Sequence, residues 1–189
     1  MGSLEPELFE EIMTNIQYNA DFYEKAARAI ESAGVAPSAA EPSTTINVIH
    51  MRLEGDVLFF AEQLNYSLDE YRKKLSELYI ENIKKHIDKN STNLILCYDP
   101  NNEVIDFMRD NGYNYTYLEK HDTCNEKNAV VDFIAAQLCN GVFIGNYNLE
   151  KKRGSTYSYY VMRMMEKYSP AVKNILLYLN EAAAAAAEK

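Results

Sequence analysis

The alternation of strand-like and helical segments constrains the fold of this chain more than any other feature. Short apolar segments suited to buried strands are separated by longer segments whose apolar residues recur at helical spacing. This pattern gives the element order α-β-α-β-α-β-α-β-α-α, which predicts an α/β fold: a Rossmann-like open parallel sheet with helices on both faces. The expected strands are 45–52, 93–98, 113–118 and 141–147.

Helical patterns lie between and beyond these strands. The segment 68–89 follows Ser67, a suitable N-cap, and has Asp69 and Glu70 in its first turn and lysines near its other end, as the helix dipole favours. A low-complexity tail, 181–189, is strongly helix-forming. The other expected helices are 7–32 with a break near Asn19, 101–110, 128–139, 156–168 and 170–188.

Composition excludes several classes of protein. With 28 acidic and 19 basic residues the net charge is −9, which argues against a nucleic-acid binder but not against a nucleotide ligand held by local cations and helix N-termini. No apolar stretch approaches the roughly 20 residues of a membrane span, so none is expected. The three cysteines have no metal-like spacing, and no Gly-x-Gly-x-x-Gly follows a strand. We therefore expect neither a metal nor a dinucleotide cofactor.

The first strand leads into the pattern His50-x-Arg52-x-x-x-Asp56. In open α/β sheets, ligands bind at the carboxyl ends of the strands, where these three side chains are expected. Guanidinium is a permanently charged fork of donors that suits phosphate or carboxylate. The alternative is that Arg52 is a solvated surface residue.

Two later segments carry related chemistry. Asp132 lies in an apolar neighbourhood of a helix, where a carboxylate needs a partner, although it could equally be a helix-surface acid. Gly154, Ser155 and Thr156 open the next helix, where amides, hydroxyls and the helix dipole can bind phosphate. The same three residues are also an ordinary N-cap sequence.

Taken together and in this order, these segments resemble the donor-binding half of the protein O-fucosyltransferase superfamily. The plant members tend to have His-Leu-Arg-Phe-Glu-x-Asp where this chain has HMRLEGD. The resemblance covers about residues 45–168. The elements that carry it are His50-x-Arg52, Asp56, Asp132, the strand Phe143 to Asn146, and Ser155-Thr156-Tyr157-Ser158.

The resemblance implies one half of a GT-B-type architecture, in which two Rossmann-like halves face a cleft. This chain would supply the nucleotide-sugar-binding half at 45–180, after an N-terminal helical segment and loop at 1–44. The acceptor-binding half would lie on the parent protein or on another chain. A typical eukaryotic member acts in the lumen of the secretory pathway, but the acidic start of this chain does not resemble a signal peptide, so the compartment stays open.

The activity implied is metal-independent, inverting transfer of fucose from GDP-fucose to a protein or glycan hydroxyl. Arg52 would stabilise the charge that builds on the departing diphosphate, and Asp56 would pair with Arg52 or face the acceptor; these two are the expected catalytic residues. Glu54 and Asp56 are possible general bases, and the other half could also provide one. The expected donor-binding residues are His50, Arg52, Asp132, Asn146, Ser155, Thr156 and Tyr157.

Within that set, Ser155 and Thr156 would hold the phosphates, and Asp132 would accept from the guanine edge or a ribose hydroxyl. His50 would contact the nucleotide or orient Arg52. Three alternatives stay open. The first is another GDP-sugar or a rhamnosyl donor. The second is a non-catalytic module that binds a nucleotide-sugar or a glycan, or a subunit that works only in a complex. The third is a Rossmann-like domain that binds no nucleotide.

Overall fold

A parallel sheet forms the centre of the protein, as the sequence predicts. The computed structural model describes residues 17–35, 45–54, 57–118 and 124–179. The strands are β1 (Ile46–His50), β2 (Thr92–Leu96), β3 (Tyr115–Tyr117), β4 (Val142–Asn148), β5 (Arg153–Gly154) and β6 (Lys173–Leu177). The order of the sheet is β3-β2-β1-β4-β5, and β6 also pairs with β4. All pairings are parallel except that of β5, which forms a short antiparallel hairpin with the end of β4.

Helices cover both faces of this sheet, which confirms the α/β Rossmann-like class. The first, fifth and sixth helices pack on one face, and the other three pack on the opposite face. Each face therefore has its own apolar core. The helices are α1 (Ala20–Ser32), α2 (Leu58–Gln63), α3 (Leu68–His86), α4 (Glu103–Asp110), α5 (Asn125–Ala136) and α6 (Thr156–Tyr168).

Local sequence explains where the helices begin. Ser67 starts α3 through a capping box: its hydroxyl accepts from the Glu70 amide at 3.3 Å, and its own amide donates to the Glu70 carboxylate at 2.9 Å. Asn102 starts α4 by accepting from the Val104 and Ile105 amides. None of the helices in the described ranges is both long and apolar enough to cross a membrane.

The central strand β1 is buried along its whole length, and Asn47 fixes its register. The Asn47 amide nitrogen donates to Asn93 Oδ1 of β2 at 2.9 Å, and its oxygen accepts from the Val142 amide of β4 at 2.9 Å. A slip of one residue would turn this buried amide to the other face of the sheet. Asn47 therefore aligns the three strands that position the site.

The prediction of a final helix over 170–188 is wrong for the part that the structure describes, 170–179. Residues 173–177 form β6, which pairs with β4 from Val142↔Lys173 to Asn146↔Leu177. A short apolar run at the end of a helical pattern suits a strand when a sheet edge is open beside it, and β4 provides that edge. The Ala-rich tail 181–189 lies outside the described residues, as does the part of the first predicted helix over 7–16.

Two smaller differences affect the site. The short helix α2, which we did not expect, fills the connection between β1 and α3. The helix expected at 128–139 is α5 and begins three residues earlier, at Asn125. That shift brings the first turn of α5 to the carboxyl edge of the sheet.

Candidate functional site

A cavity of about 470 Å³, here called the first cavity, opens at the carboxyl edge of the sheet. Its walls are the segments that follow β1 and β2, the N-terminal half of α5, and one side chain of α6. In the sheet, β1 has β2 as its neighbour on one side and β4 as its neighbour on the other. The chain continues from β1 to β2 and returns to the other side of β1 only with β4, so the strand order reverses between β1 and β4. Open α/β sheets bind ligands at this position. Four predicted site residues line the first cavity: His50, Arg52, Asp132 and Tyr157.

His50 ends β1 and is held from two sides. Its Nδ1 lies 2.6 Å from the Ser158 hydroxyl on α6, and its ring packs on Tyr157 with centroids 4.6 Å apart. The Tyr79 hydroxyl of α3 donates to the His50 carbonyl at 2.7 Å. Only 6% of His50 is exposed, so its ring has a fixed orientation at the cavity wall.

The surroundings of Ser158 favour one tautomer of His50. The Ser158 oxygen accepts from the Asn146 amide at 2.9 Å, and its hydroxyl proton is then suited to donation to His50 Nδ1. This assignment puts the ring proton of neutral His50 on Nε2. Gly145 permits the approach, because a Cβ at that position would lie 2.9 Å from Ser158 Oγ.

Asp132 and Tyr157 form the buried end of the first cavity. Asp132 is 8% exposed. The pKa of Tyr157 is raised well above its ordinary value by burial and by the negative charge of Asp132. The Tyr157 hydroxyl also donates to the Ala129 carbonyl at 3.3 Å. A carboxylate fixed in this setting is an acceptor for the N–H or O–H groups of a ligand.

Arg52 and Glu54 lie closer to solvent. Arg52 Nε is 3.8 Å from Glu54 Oε2, and the two side chains are 44% and 21% exposed. The Glu54 Oε1 atom accepts from the Tyr98 amide at 3.0 Å, which joins the segment after β1 to the segment after β2. Arg52 therefore presents a cation at the cavity wall, while Glu54 braces the adjoining loops.

Three further predicted site residues, Asn146, Ser155 and Thr156, lie outside the lining of the first cavity. Asn146 is on β4, and its side chain is buried beside Tyr71 of α3. Ser155 caps α6 by accepting from the Ser158 amide at 3.4 Å, and Thr156 is exposed. Asp56 falls outside the described residues. Their predicted roles stay predictions.

Sequence reasoning missed several residues of this site. Ser158 belongs to a segment that we singled out, but nothing in the sequence indicates its contact with His50. Tyr98 and the first turn of α5 also line the first cavity, and Cys124 provides no side-chain cap for that turn. The N-terminal turn of α5 therefore lies at the first cavity, as does Tyr157 in the first turn of α6. In the part of the chain that the structure describes, no three His, Cys, Asp or Glu side chains could together hold a metal ion.

Comparison with known proteins adds no relative: the chain matches no protein-family model, no curated protein and no solved structure. The functional argument therefore depends on the geometry and chemistry of the first cavity.

Proposed function

We propose that the first cavity binds the GDP part of GDP-fucose, and that the chain acts as the donor-binding part of an inverting fucosyltransferase. One observation carries the proposal: His50, Arg52, Asp132 and Tyr157, from three separate segments, line one cavity at the switch point of the sheet. These residues combine a cation, a buried carboxylate and two packed rings. Such a set suits a charged nucleotide with a polar base.

The size and position of the first cavity support a nucleotide ligand. Its volume of about 470 Å³ lies within the roughly 300–1,000 Å³ common for small-molecule sites. The first turn of α5 lies at its wall, and the amides of a helix N-terminus favour anions. An acidic chain can therefore still bind a diphosphate locally.

Arg52 has the chemistry required at the leaving group. As the bond to fucose breaks, negative charge builds on the β-phosphate, and a fixed guanidinium stabilises that charge more than it stabilises the ground state. By analogy with other preorganised donors, the effect on the barrier is about 2.7–4 kcal/mol. The ion pair with Glu54 limits the range of positions of Arg52 before the donor binds.

Asp132 is the residue from which we expect a preference for guanine over uracil. Guanine presents adjacent N–H donors along one edge, and a carboxylate can accept from both. Uracil presents one N–H between two carbonyl oxygens, which a buried carboxylate repels. We therefore expect GDP to bind better than UDP, and Tyr157 to support the position of the Asp132 carboxylate.

Calorimetric titration of the chain with GDP and with UDP tests the donor site. We expect selective GDP binding that weakens in Arg52→Ala. Arg109→Ala is the matched control, because Arg109 pairs with Asp106 and Asp110 on α4 and does not line the first cavity. Equal affinity for GDP and UDP, or equal effects of the two substitutions, would refute the proposed site.

An assay for the release of fucose from GDP-fucose distinguishes an enzyme from a non-catalytic binding module. For an enzyme, we expect Arg52→Ala to lower the rate about 10²–10³-fold at saturating donor, beyond its effect on affinity. GDP binding with no release of fucose would support the alternative of a non-catalytic nucleotide-sugar-binding module. GDP-mannose in the same assay tests the alternative donor.

A further inference from the structure

Three surface asparagines stand in Asn-x-Ser/Thr sequences, which are the acceptor motif for N-linked glycans. The asparagine of each motif is exposed and lies in a connection between two elements. In chain order these connections join α2 to α3, α3 to β2, and α4 to β3. An N-linked glycan is bulky and polar and requires such a surface position. The three motifs are Asn65-Tyr66-Ser67, Asn90-Ser91-Thr92 and Asn114-Tyr115-Thr116.

The side chains of these three asparagines do not hold the fold together. Within the described ranges, the side-chain amides of Asn65, Asn90 and Asn114 make no hydrogen bond. Other asparagines of the chain do: Asn47 aligns β1 with its neighbours, and Asn102 caps α4. Attachment of a glycan to Nδ2 of a motif asparagine would therefore cost the folded chain no contact.

The hydroxyl of each motif distinguishes the first motif from the other two. Ser67 belongs to the capping box of α3, where its hydroxyl accepts from the Glu70 amide at 3.3 Å and donates to the Glu70 carboxylate at 2.7 Å. A capping box is built from neighbouring residues, so it occupies this hydroxyl once α3 begins to form. In the parts of the chain that the structure describes, the hydroxyls of Thr92 and Thr116 make no hydrogen bond. The second and third motifs are therefore the better acceptors.

The second and third motifs lie together at the amino edge of the sheet. The Asn114 amide donates to the Lys89 carbonyl at 2.9 Å, and the Asn114 carbonyl accepts from Asn93 Nδ2 at 2.6 Å. The five residues of β2 separate this edge from the carboxyl edge by roughly 16 Å. Glycans at Asn90 and Asn114 would therefore leave the first cavity open.

A glycan at Asn114 would also cover an open edge of the sheet. The strand β3 follows Asn114 directly and, among the described strands, pairs only with β2. Tyr117, at the end of β3, is 47% exposed. An unpaired strand edge is a template for association, and proteins commonly cover or charge such edges. The third motif is thus placed where a glycan has a physical use.

We propose that Asn90 and Asn114 carry N-linked glycans and that the chain folds in the lumen of the secretory pathway. This inference does not depend on the proposed nucleotide site. In the modification, Nδ2 of each asparagine forms a bond to the anomeric carbon of a lipid-linked oligosaccharyl diphosphate. The bond from that carbon to the diphosphate breaks, and the lipid diphosphate leaves with the electron pair. The proton of Nδ2 goes to a base of the transferase.

Mass spectrometry of the protein isolated from the cells that make it tests the two sites. Treatment with peptide N-glycosidase F in heavy-oxygen water removes an N-linked glycan and leaves an aspartate that contains the heavy isotope. We expect this label at Asn90 and Asn114, and an unmodified Asn65. Unmodified asparagine at both Asn90 and Asn114, or a label at Asn65 alone, would overturn the inference.

Substitutions in the full chain, secreted from eukaryotic cells behind a cleavable signal, assign each glycan to its motif. Asn90→Gln and Asn114→Gln should each remove one step of electrophoretic mobility. Thr92→Ala should remove the same step as Asn90→Gln, because it destroys the motif and keeps the asparagine. Asn65→Gln is the matched control and should leave the pattern unchanged. A pattern that is the same in wild type, Asn90→Gln and Asn114→Gln shows that these asparagines do not carry the glycans.

Discussion

The contact between His50 and Ser158 gives the sharpest test of how the first cavity is built. We expect Ser158→Ala to destabilise the protein and to weaken GDP binding together. The substitution removes one hydroxyl that accepts from the Asn146 amide and contacts His50 Nδ1. Exposure is 0% for Ser158, 1% for Asn146 and 6% for His50, so bulk water cannot readily replace the lost contacts.

The size of this effect follows from the two groups left behind. A buried polar group that loses its partner costs about 1–3 kcal/mol, and here there are two. Alanine is a better helix former than serine by about 0.5 kcal/mol, which offsets part of the loss in α6. The expected decrease in the free energy of unfolding is therefore about 2–5 kcal/mol, which leaves a typical domain marginally folded.

Urea unfolding followed by far-UV circular dichroism measures this decrease. The chain has no tryptophan, so dichroism is a better probe than fluorescence. Ser32→Ala, at the exposed end of α1, is the control and should change stability by less than about 0.5 kcal/mol. A decrease below about 1 kcal/mol in Ser158→Ala, with unchanged GDP affinity, would refute the view that this hydroxyl organises the site.

Two further substitutions test neighbouring features. Gly145→Ala should lower the free energy of unfolding, measured in urea, by about 1–3 kcal/mol. The reason is that the new methyl group would lie 2.9 Å from Ser158 Oγ and 2.8 Å from Phe143 Cζ. An unchanged urea midpoint would contradict the close packing of α6 on β4. Burial raises the pKa of Tyr71 to about 12 from 10.0, so the neutral phenol is favoured in the folded state. The stability that the buried neutral phenol contributes is complete below about pH 10 and is lost as the pH rises toward 12. In Tyr71→Phe, the decrease in the free energy of unfolding over this pH range should be smaller than in the wild type by roughly 2–3 kcal/mol. Equal pH profiles of the free energy of unfolding for variant and wild type would contradict this assignment.

Periodicity predicts most of the fold because the strands are short, buried and separated by capped helices. The β-branched run before His50 forms β1, and Ser67 begins α3 as its capping chemistry predicts. Periodicity fails at β6, where pairing with an open edge of β4 decides between helix and strand. No local pattern contains that information, since the partner strand lies about thirty residues earlier in the chain.

The site was predictable only in part, for a related reason. Residues at strand ends, such as His50 and Arg52, lie at the cavity because the topology of a parallel sheet gathers its carboxyl ends. Side chains whose role depends on contacts between distant segments were not identifiable. Ser158 is an ordinary helix serine in the sequence, and Ser155 acts as the cap of α6, which was the simpler of its two interpretations.

The separation of His50 and Ser158 by 108 residues has a consequence for biosynthesis. The early strands and helices emerge from the ribosome long before α6, so the wall of the first cavity that contains His50 exists for some time without its supporting hydroxyl. Contacts so distant in sequence form late, because a long loop must close before they contribute. The proposed nucleotide binding should accordingly report the last stage of folding, and nascent chains that end before α6 should not acquire it.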